Sequence, residues 1–146
     1  MAGIVSTSTR AVGKLTPKST ALLLCDIQER FRPLIYRAET VIRTAQYLTS
    51  VAKELSVPIV GTQQYTKVFG PTVSECFADN YDDVPIFEKK LFSMLTPEVK
   101  NHLDGLNKDS FILVGIEAHV CVQQTCLDLL EVRKIHFNIY TNNFII

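Results

Sequence analysis

Apolar and polar positions along the chain alternate between short continuous apolar runs and helical stripes. Residues 20–25 (TALLLC) form an apolar run that ends at Asp26, which is typical of a strand covered on both faces. The next stripe predicts an amphipathic helix, because its apolar side chains recur at steps of four and three: Val41, Ala45, Leu48, Ala52 and Leu55. Ser56 and Pro58 should end that helix, since proline disfavours helical geometry in the residue before it.

The rest of the chain repeats this alternation. Further strands are predicted at residues 57–62, 84–89, 110–115 and 134–141, and residues 63–83 are predicted to form a long loop. Before the strand at 110–115, Thr96 can cap a helix, Pro97 suits its first position and Gly105 suits its exit. Another helix should follow residue 115. Strands that alternate with helices imply right-handed crossovers, so we predict an α/β, three-layer αβα fold with an open parallel sheet.

Composition narrows the class of protein. Hydrophobic residues make up 47% of the chain, charged residues make up 21%, and 15 basic residues balance 15 acidic ones. This balance predicts a soluble globular protein, with neither nucleic acid nor a membrane as a partner. The four cysteines have no CxxC spacing, and the three histidines have no metal-ligand spacing. We therefore expect a reducing compartment and no metal site.

Residues 1–18 differ from the single domain predicted at residues 19–146. They contain Arg10, Lys14 and Lys18, many serines and threonines, and no acidic residue. Such a composition is weakly similar to that of a mitochondrial transit peptide, although a flexible or loosely docked N-terminal tail is the favoured explanation. The prediction is a cytoplasmic protein with a flexible tail, and mitochondrial import is the alternative.

Three reactive side chains follow three of the predicted strands. Asp26 ends the first strand, Lys89 ends the third and Cys121 follows the fourth. In open α/β sheets, ligands bind beyond the carboxyl ends of the strands, so these residues are candidates for one site. Each also has an ordinary structural explanation: a turn-capping aspartate, a solvated lysine and a small buried cysteine. No glycine-rich loop follows the first strand, and no GxSxG sequence is present, which argues against a dinucleotide site and a serine-hydrolase elbow.

The helix after the fourth strand separates two cysteines. Its predicted core stripe consists of Val122, Cys126, Leu129 and Leu130. Cys121 lies in the first turn on a different face, together with Thr125 and Asp128. Unpaired backbone N–H groups and the helix dipole would lower the pKa of a thiol there, so Cys121 is the candidate for reactivity and Cys126 for packing. Redox pairing of the two is disfavoured, because five positions along a helix turn side chains about 140° apart.

Four segments of the chain resemble the isochorismatase-like hydrolases, a family of cysteine hydrolases, and especially the animal isochorismatase domain-containing proteins. The segments are LLLCDIQERF, TQQYTKVFGPTV, KKLFSM and GIEAHVCVQQTCLDLL. The resemblance implies an Asp–Lys–Cys triad, which matches Asp26, Lys89 and Cys121. It also implies a non-proline cis peptide in the turn of residues 115–118. That turn would help to aim backbone N–H groups, with Glu117 and Ala118 as candidates, at a developing oxyanion.

The resemblance also bears on the reaction and on the cofactor. The nicotinamidase branch of the family carries an Asp-x-His metal motif after the second strand, whereas this chain has GTQQYTK, so no metal or other cofactor is expected. The presence of Cys121 favours an amide or related carbonyl substrate, because isochorismatases cleave a vinyl ether without needing the cysteine. Candidate pocket walls are Gln28, Phe31, Tyr65 and Phe92, although core packing explains each phenylalanine equally well.

Family members normally continue well beyond the fifth strand, whereas this sequence ends at TNNFII. We therefore expect a C-terminally shortened domain that lacks the last strand and helices. The exposed sheet edge that would result could be covered by a homo-oligomer, which is common in the family. Two functions stay open: a hydrolase of an unidentified small molecule, and a non-catalytic interaction module that keeps the fold.

Overall fold

The computed structural model describes residues 15–78 and 83–133. Residues 1–14 of the predicted tail and the predicted strand at 134–141 lie outside this part of the chain. The strands are β1 (Thr20–Cys25), β2 (Ile59–Gln64), β3 (Ile86–Lys89) and β4 (Ser110–Gly115). The helices are α1 (Ala38–Glu54), α2 (Thr66–Phe69), α3 (Pro97–Leu106) and α4 (Gln123–Arg133).

The four strands form one parallel sheet in the order β3-β2-β1-β4. The predicted bounds of β1 and β4 are confirmed. By contrast, β2 lies two residues later than predicted, and β3 begins at Ile86 instead of Val84. The chain leaves β1 on one side for β2 and β3, and returns on the other side as β4. The strand order therefore reverses between β1 and β4, the point where open α/β sheets bind ligands.

Helices cover both faces of the sheet, which confirms the predicted three layers. Leu22 and Leu24 of β1 pack into one apolar cluster with residues of α1, namely Val41, Ile42, Ala45 and Ala52. Ala21, Leu23 and Cys25 of the same strand pack on the opposite face with residues of α3 and α4, namely Val99, Leu103 and Leu129. Because successive side chains of a strand point to opposite faces of the sheet, the fully buried β1 contributes to both apolar cores.

Two helix ends differ from the sequence prediction. Leu55, which was predicted to lie on the apolar stripe of α1, is 51% exposed because the helix ends at Glu54. In α3 the Thr96 side chain caps the helix by accepting a hydrogen bond from the Val99 N–H at 3.3 Å, as predicted. Gly105 was predicted to mark the exit but lies inside the helix, and Asn107 supplies the left-handed residue instead, with φ of 50°.

The predicted stripe of α4 is partly wrong. Thr125, which was assigned to the outer face, is fully buried, whereas Leu130 is 44% exposed. The cause lies just before the helix, where Ala118–Val122 form a π-helical turn. A π turn holds more residues than an α turn, so it changes which side chains of the following helix face the core. The buried side chains are Cys121, Val122, Thr125 and Leu129. Among the described helices, none is long and apolar enough to cross a bilayer.

Candidate active site

The carboxyl edge of the sheet concentrates unusual backbone conformations. Asp26 directly follows β1, Tyr65 directly follows β2 and Glu117 closely follows β4, and all three have positive φ angles of 53°, 36° and 58°. Left-handed backbone in a residue with a side chain costs about 1–3 kcal/mol and persists only where surrounding contacts impose it. These conformations therefore indicate an edge whose shape is fixed by other interactions.

Asp26 and Lys89 form a buried ion pair at this edge. Lys89 Nζ lies 2.7 Å from Asp26 Oδ2, and the two side chains are 0% and 2% exposed. A buried pair is retained only when the remaining hydrogen-bonding positions of both ions are also occupied. On the carboxylate, Thr62 Oγ1 donates to Oδ1 at 2.9 Å. The backbone N–H of Asp26 donates to the Thr62 carbonyl at 3.1 Å, so one residue of β2 holds both the main chain and the side chain of Asp26.

The Lys89 ammonium has three acceptors besides Asp26. It donates to Gln64 Oε1 at 2.6 Å, to the Leu91 carbonyl at 3.0 Å and to the Phe92 carbonyl at 2.9 Å. These bonds tie the segment after β3 to the end of β2. Lys89 therefore holds this edge of the sheet together through its hydrogen bonds, in addition to placing a positive charge there.

Cys121 reaches the same edge because β4 approaches β1 closely. A Cβ on Gly115 would collide with the Cys25 carbonyl oxygen and would lie 2.6 Å from Cys25 Cβ, so only glycine fits at the end of β4. The chain then turns at Glu117, and the π turn brings the Cys121 side chain close enough to Asp26 for the carboxylate to act on its thiol. The structure thus brings Asp26, Lys89 and Cys121 together from the ends of three different strands.

The pKa of Cys121 differs in direction from the sequence prediction. Burial and then the negative charge of Asp26 raise the pKa of this thiol to about 12, and Lys89 acts to lower it. The prediction of a lowered pKa is therefore wrong, because the π turn buries the sulfur beside a carboxylate. At neutral pH Cys121 is a thiol, and a reaction at its sulfur needs a proton acceptor.

Cys25 is a second thiol beside the same carboxylate. Its Sγ lies 3.5 Å from Asp26 Oδ2, and its side chain is fully buried between β1 and β4. Burial raises the pKa of Cys25 well above its usual value, and the negative charge of Asp26 adds to this effect. Cys25 therefore packs beneath the site, whereas Cys121 retains 6% exposure at its surface.

The turn before Cys121 differs from the one that the resemblance implied. The described residues contain no cis peptide bond, so the expected cis peptide is not present in residues 115–118. Glu117 instead takes a left-handed conformation, and its carbonyl accepts hydrogen bonds from the N–H groups of Val120 at 3.0 Å and Val122 at 3.4 Å. Ala118 opens the π turn. A role for the Glu117 and Ala118 N–H groups toward an oxyanion stays a prediction.

The four predicted pocket residues lie in different environments. Gln28 is 1% exposed and its amide is fully engaged, because it brackets the backbone N–H and carbonyl of Gln64 and also donates to the Gly70 carbonyl. Phe31 stacks on Phe69 with ring centroids 4.7 Å apart. Tyr65 and Phe92 are 41% and 60% exposed at the carboxyl edge. Gln28 thus braces the end of β2, and Tyr65 and Phe92 are the two that solvent, and hence a ligand, can reach.

Sequence reasoning missed three residues that hold the site. Thr62 and Gln64 alternate along the end of β2 and contact Asp26 and Lys89 respectively. Thr125 donates to the Cys121 carbonyl at 2.6 Å and accepts from the Met94 N–H at 2.9 Å, which joins the π turn to the segment after β3. The run of three polar residues at the end of an otherwise apolar strand, Thr62, Gln63 and Gln64, is the sequence signal that could have pointed to this part of β2.

Comparison with known proteins identifies the family to which this fold belongs. The isochorismatase domain profile matches residues 20–132. The chain belongs to the isochorismatase family. It is 47% identical over 132 residues to a secreted isochorismatase effector of Phytophthora sojae, and the aligned region covers 87% of this chain and 62% of that protein. It is 42% identical over 125 residues to isochorismatase domain-containing protein 2 of Xenopus laevis, and the aligned region covers 85% of this chain and 60% of that protein.

Solved structures of the isochorismatase family agree with this assignment. The chain superimposes on the MAR1 ribonuclease of Caenorhabditis elegans with a TM-score of 0.77 and 40% identity, over 86% of this chain and 64% of that one. An octameric hydrolase of unknown specificity from Escherichia coli shares the fold, with a TM-score of 0.77 and 21% identity over 91% of this chain and 66% of that one. This isochorismatase-family chain spans about three-fifths of the length of its curated relatives. Among the described residues, no group of three or more His, Cys, Asp or Glu side chains could hold a metal ion.

Proposed function

We propose that this isochorismatase-family chain is a cysteine hydrolase that acts on an amide, or a related carbonyl group, of a small molecule. One observation supports this most strongly. A single buried carboxylate, Asp26, contacts the Lys89 ammonium at 2.7 Å and lies close enough to the Cys121 thiol to raise its pKa. A nucleophile, a base and a cation at one site are the parts that acyl transfer requires.

The first half of the reaction forms an acyl-enzyme. As Cys121 Sγ attacks the carbonyl carbon, the thiol proton passes to Asp26 and the carbonyl electron pair moves onto oxygen. Lys89 stabilises the negative charge on that oxygen, and the N–H groups of Glu117 and Ala118 are the candidate backbone donors. The intermediate then collapses, the carbon–nitrogen bond breaks, and the leaving amine takes the proton from Asp26.

The second half of the reaction restores the free thiol. Water attacks the thioester carbon while Asp26 accepts its proton, and the acid product leaves as the sulfur regains that proton. Transfer of the proton in the attacking step follows from the pKa of Cys121, which burial raises to about 12. A thiol with this pKa supplies almost no free thiolate at neutral pH, so the reaction depends on the base beside it.

Access and assembly are part of the same proposal. The exposed side chains of Tyr65 and Phe92 form candidate walls for a small-molecule substrate at the carboxyl edge, and Gln28 and Phe31 support the loops behind them. A homo-oligomer is proposed because one structural relative is an octamer. The Caenorhabditis elegans relative is described as a ribonuclease, but the zero net charge of this chain gives RNA no electrostatic support as a substrate.

The test is to incubate the purified protein with a panel of primary amides and, separately, with single-stranded RNA. Ammonia release and a mass increase on the peptide that contains Cys121 are the expected results with at least one amide. Both should be lost in Cys121→Ala and retained in Cys126→Ala, which removes the other cysteine next to this turn. Cleavage of RNA that survives Cys121→Ala, with no ammonia from any amide, would overturn the proposal.

A further inference from the structure

Lys89 has more hydrogen-bond acceptors than protons to give them. Four oxygens lie within 3.0 Å of its Nζ: Asp26 Oδ2, Gln64 Oε1 and the carbonyl oxygens of Leu91 and Phe92. An ammonium carries three N–H donors. One of the four acceptors is therefore surplus at any moment, and the ammonium can lose one of them without being left with an unused proton.

Three of the four acceptors are fixed in place. The Asp26 carboxylate is buried and is held from its other oxygen by Thr62. The carbonyls of Leu91 and Phe92 belong to the main chain, so neither can leave unless the segment after β3 moves. Their departure from Lys89 would require a rearrangement of the backbone or the loss of a buried ion pair.

Gln64 is the acceptor that can leave. Its main chain is fixed, because the Gln28 amide donates to the Gln64 carbonyl at 2.9 Å and accepts from the Gln64 N–H at 2.7 Å. Its side chain is only half-buried, and the far end of its carboxamide is held weakly, by a bond of 3.3 Å to the Lys90 carbonyl. Rotation about side-chain torsions would therefore vacate a position on the ammonium while β2 stays where it is.

We propose that Gln64 is a specificity-determining residue whose carboxamide occupies the position that the carboxamide of the substrate takes on Lys89. This inference rests on the proposed hydrolase function and narrows its substrate class to primary carboxamides. The vacated position presents two complementary groups, the Lys89 ammonium for a carbonyl oxygen and the Lys90 carbonyl for an NH₂ group. A carboxylate would meet the Lys90 carbonyl oxygen with a second oxygen, so the position favours the amide over the acid that its hydrolysis produces.

Iodoacetamide tests this directly, because it is a primary carboxamide that alkylates thiols, and iodoacetate is the matching acid. In the labelling step the Cys121 sulfur–carbon bond forms, the carbon–iodine bond breaks, iodide leaves and the thiol proton passes to Asp26. The rate of Cys121 labelling is measured by peptide mass spectrometry against reagent concentration. In the wild type it should saturate with iodoacetamide, compete with propionamide, and show no saturation with iodoacetate.

Variants at position 64 give the decisive comparison. Gln64→Ala removes the competing acceptor and should lower the half-saturating iodoacetamide concentration about tenfold, the usual effect of one hydrogen bond to a charged group. Gln64→Met, which keeps the volume without a carbonyl, should shift it in the same direction and substitutes for Gln64→Ala if that variant fails to fold.

Gln63→Ala is the matched control, since it removes a neighbouring amide whose Oε1 accepts from the Thr72 N–H at 3.1 Å and not from Lys89. Its half-saturating concentration should equal that of the wild type. A half-saturating concentration that is unchanged in both Gln64→Ala and Gln64→Met would overturn the role of Gln64 and leave the hydrolase proposal intact. If labelling of the wild type does not saturate with iodoacetamide, the role of Gln64 is also overturned and the hydrolase proposal again stays intact. If Cys121 labels no faster than Cys76, the hydrolase proposal fails and this inference fails with it.

Discussion

Cys76 and Cys121 are both buried free thiols, and burial raises the pKa of each to about 12, yet their surroundings differ. Cys76 ends the 3₁₀ turn Ser74–Cys76 beneath α1, where the Thr49 hydroxyl donates to its carbonyl at 2.6 Å. Nearby charges act on its sulfur only through space. The Cys121 sulfur instead lies beside a carboxylate that is paired with a lysine. A raised pKa therefore does not identify a nucleophile, whereas a base beside a thiol that is not fully buried does; Cys25 also lies beside Asp26 but is 0% exposed.

The largest expected difference between the two regions is in activity. Cys121→Ala should reduce amide hydrolysis by about a thousandfold or more, because members of a catalytic triad act as a unit. Cys76→Ala should leave the rate of the folded enzyme unchanged and should affect only stability, through a small cavity beneath α1. Ammonia release per folded molecule measures both. Equal losses in the two variants would remove the distinction between the sites.

The ion pairs of the two regions should contribute very differently to stability. Lys89→Met leaves the Asp26 charge buried and unpaired, so it should lower the free energy of unfolding by about 3–5 kcal/mol, and adding Asp26→Asn should recover part of this loss. In the Cys76 region, Arg32 pairs with Glu39 and Glu75 at 2.8 Å, but its side chain is 31% exposed and theirs are more so. Arg32→Met should therefore lower the free energy of unfolding far less than Lys89→Met does. Urea unfolding curves of the variants provide the comparison.

Alkaline pH should destabilise both regions. A thiol whose pKa rises on folding binds its proton more tightly in the native state, so its contribution is fully present below the unfolded pKa of 9.0. That contribution is lost as the pH rises from 9.0 toward the folded value of about 12. Cys76→Ala and Cys121→Ala should each flatten the fall in unfolding free energy across this window. A fall of the same steepness in both variants would show that other groups cause it.

A smaller effect is expected at Thr125, which joins the π turn to the segment after β3. Thr125→Val removes the hydroxyl that donates to the Cys121 carbonyl and accepts from the Met94 N–H, and leaves the latter donor buried without its partner. The loss of stability should be about 1–3 kcal/mol. Because the same bonds position Cys121, its labelling rate should also change, whereas Thr49→Val within α1 should cost stability without changing that rate.

Sequence predicted the strands better than it predicted the site. The apolar runs of β1 and β4 predicted their bounds because a strand buried on both faces is almost continuously apolar, and the polar residues Thr20 and Ser110 lie only at the strand starts. The strand-end rule, with the family resemblance, gave Asp26, Lys89 and Cys121, and the structure brings these together. The sequence pattern did not give the protonation of Cys121, because that depends on the π turn, which α-helical periodicity cannot reveal. The pattern also did not predict the contact of Gln64 with Lys89, because the last residues of β2 are polar, as loop residues usually are.

The account rests on Asp26 acting as the base for Cys121, and one measurement tests this most directly. It is the pH dependence of alkylation of Cys121 in the wild type and in Asp26→Asn, with Cys76 as the internal reference. Asp26→Asn should lower the pKa of Cys121 and also remove its proton acceptor, so labelling at neutral pH should fall and should follow the lowered pKa, while amide hydrolysis falls by about a hundredfold or more. The pH dependence of Cys76 labelling should not change. An unaltered Cys121 profile, or a parallel change in Cys76, would contradict the account.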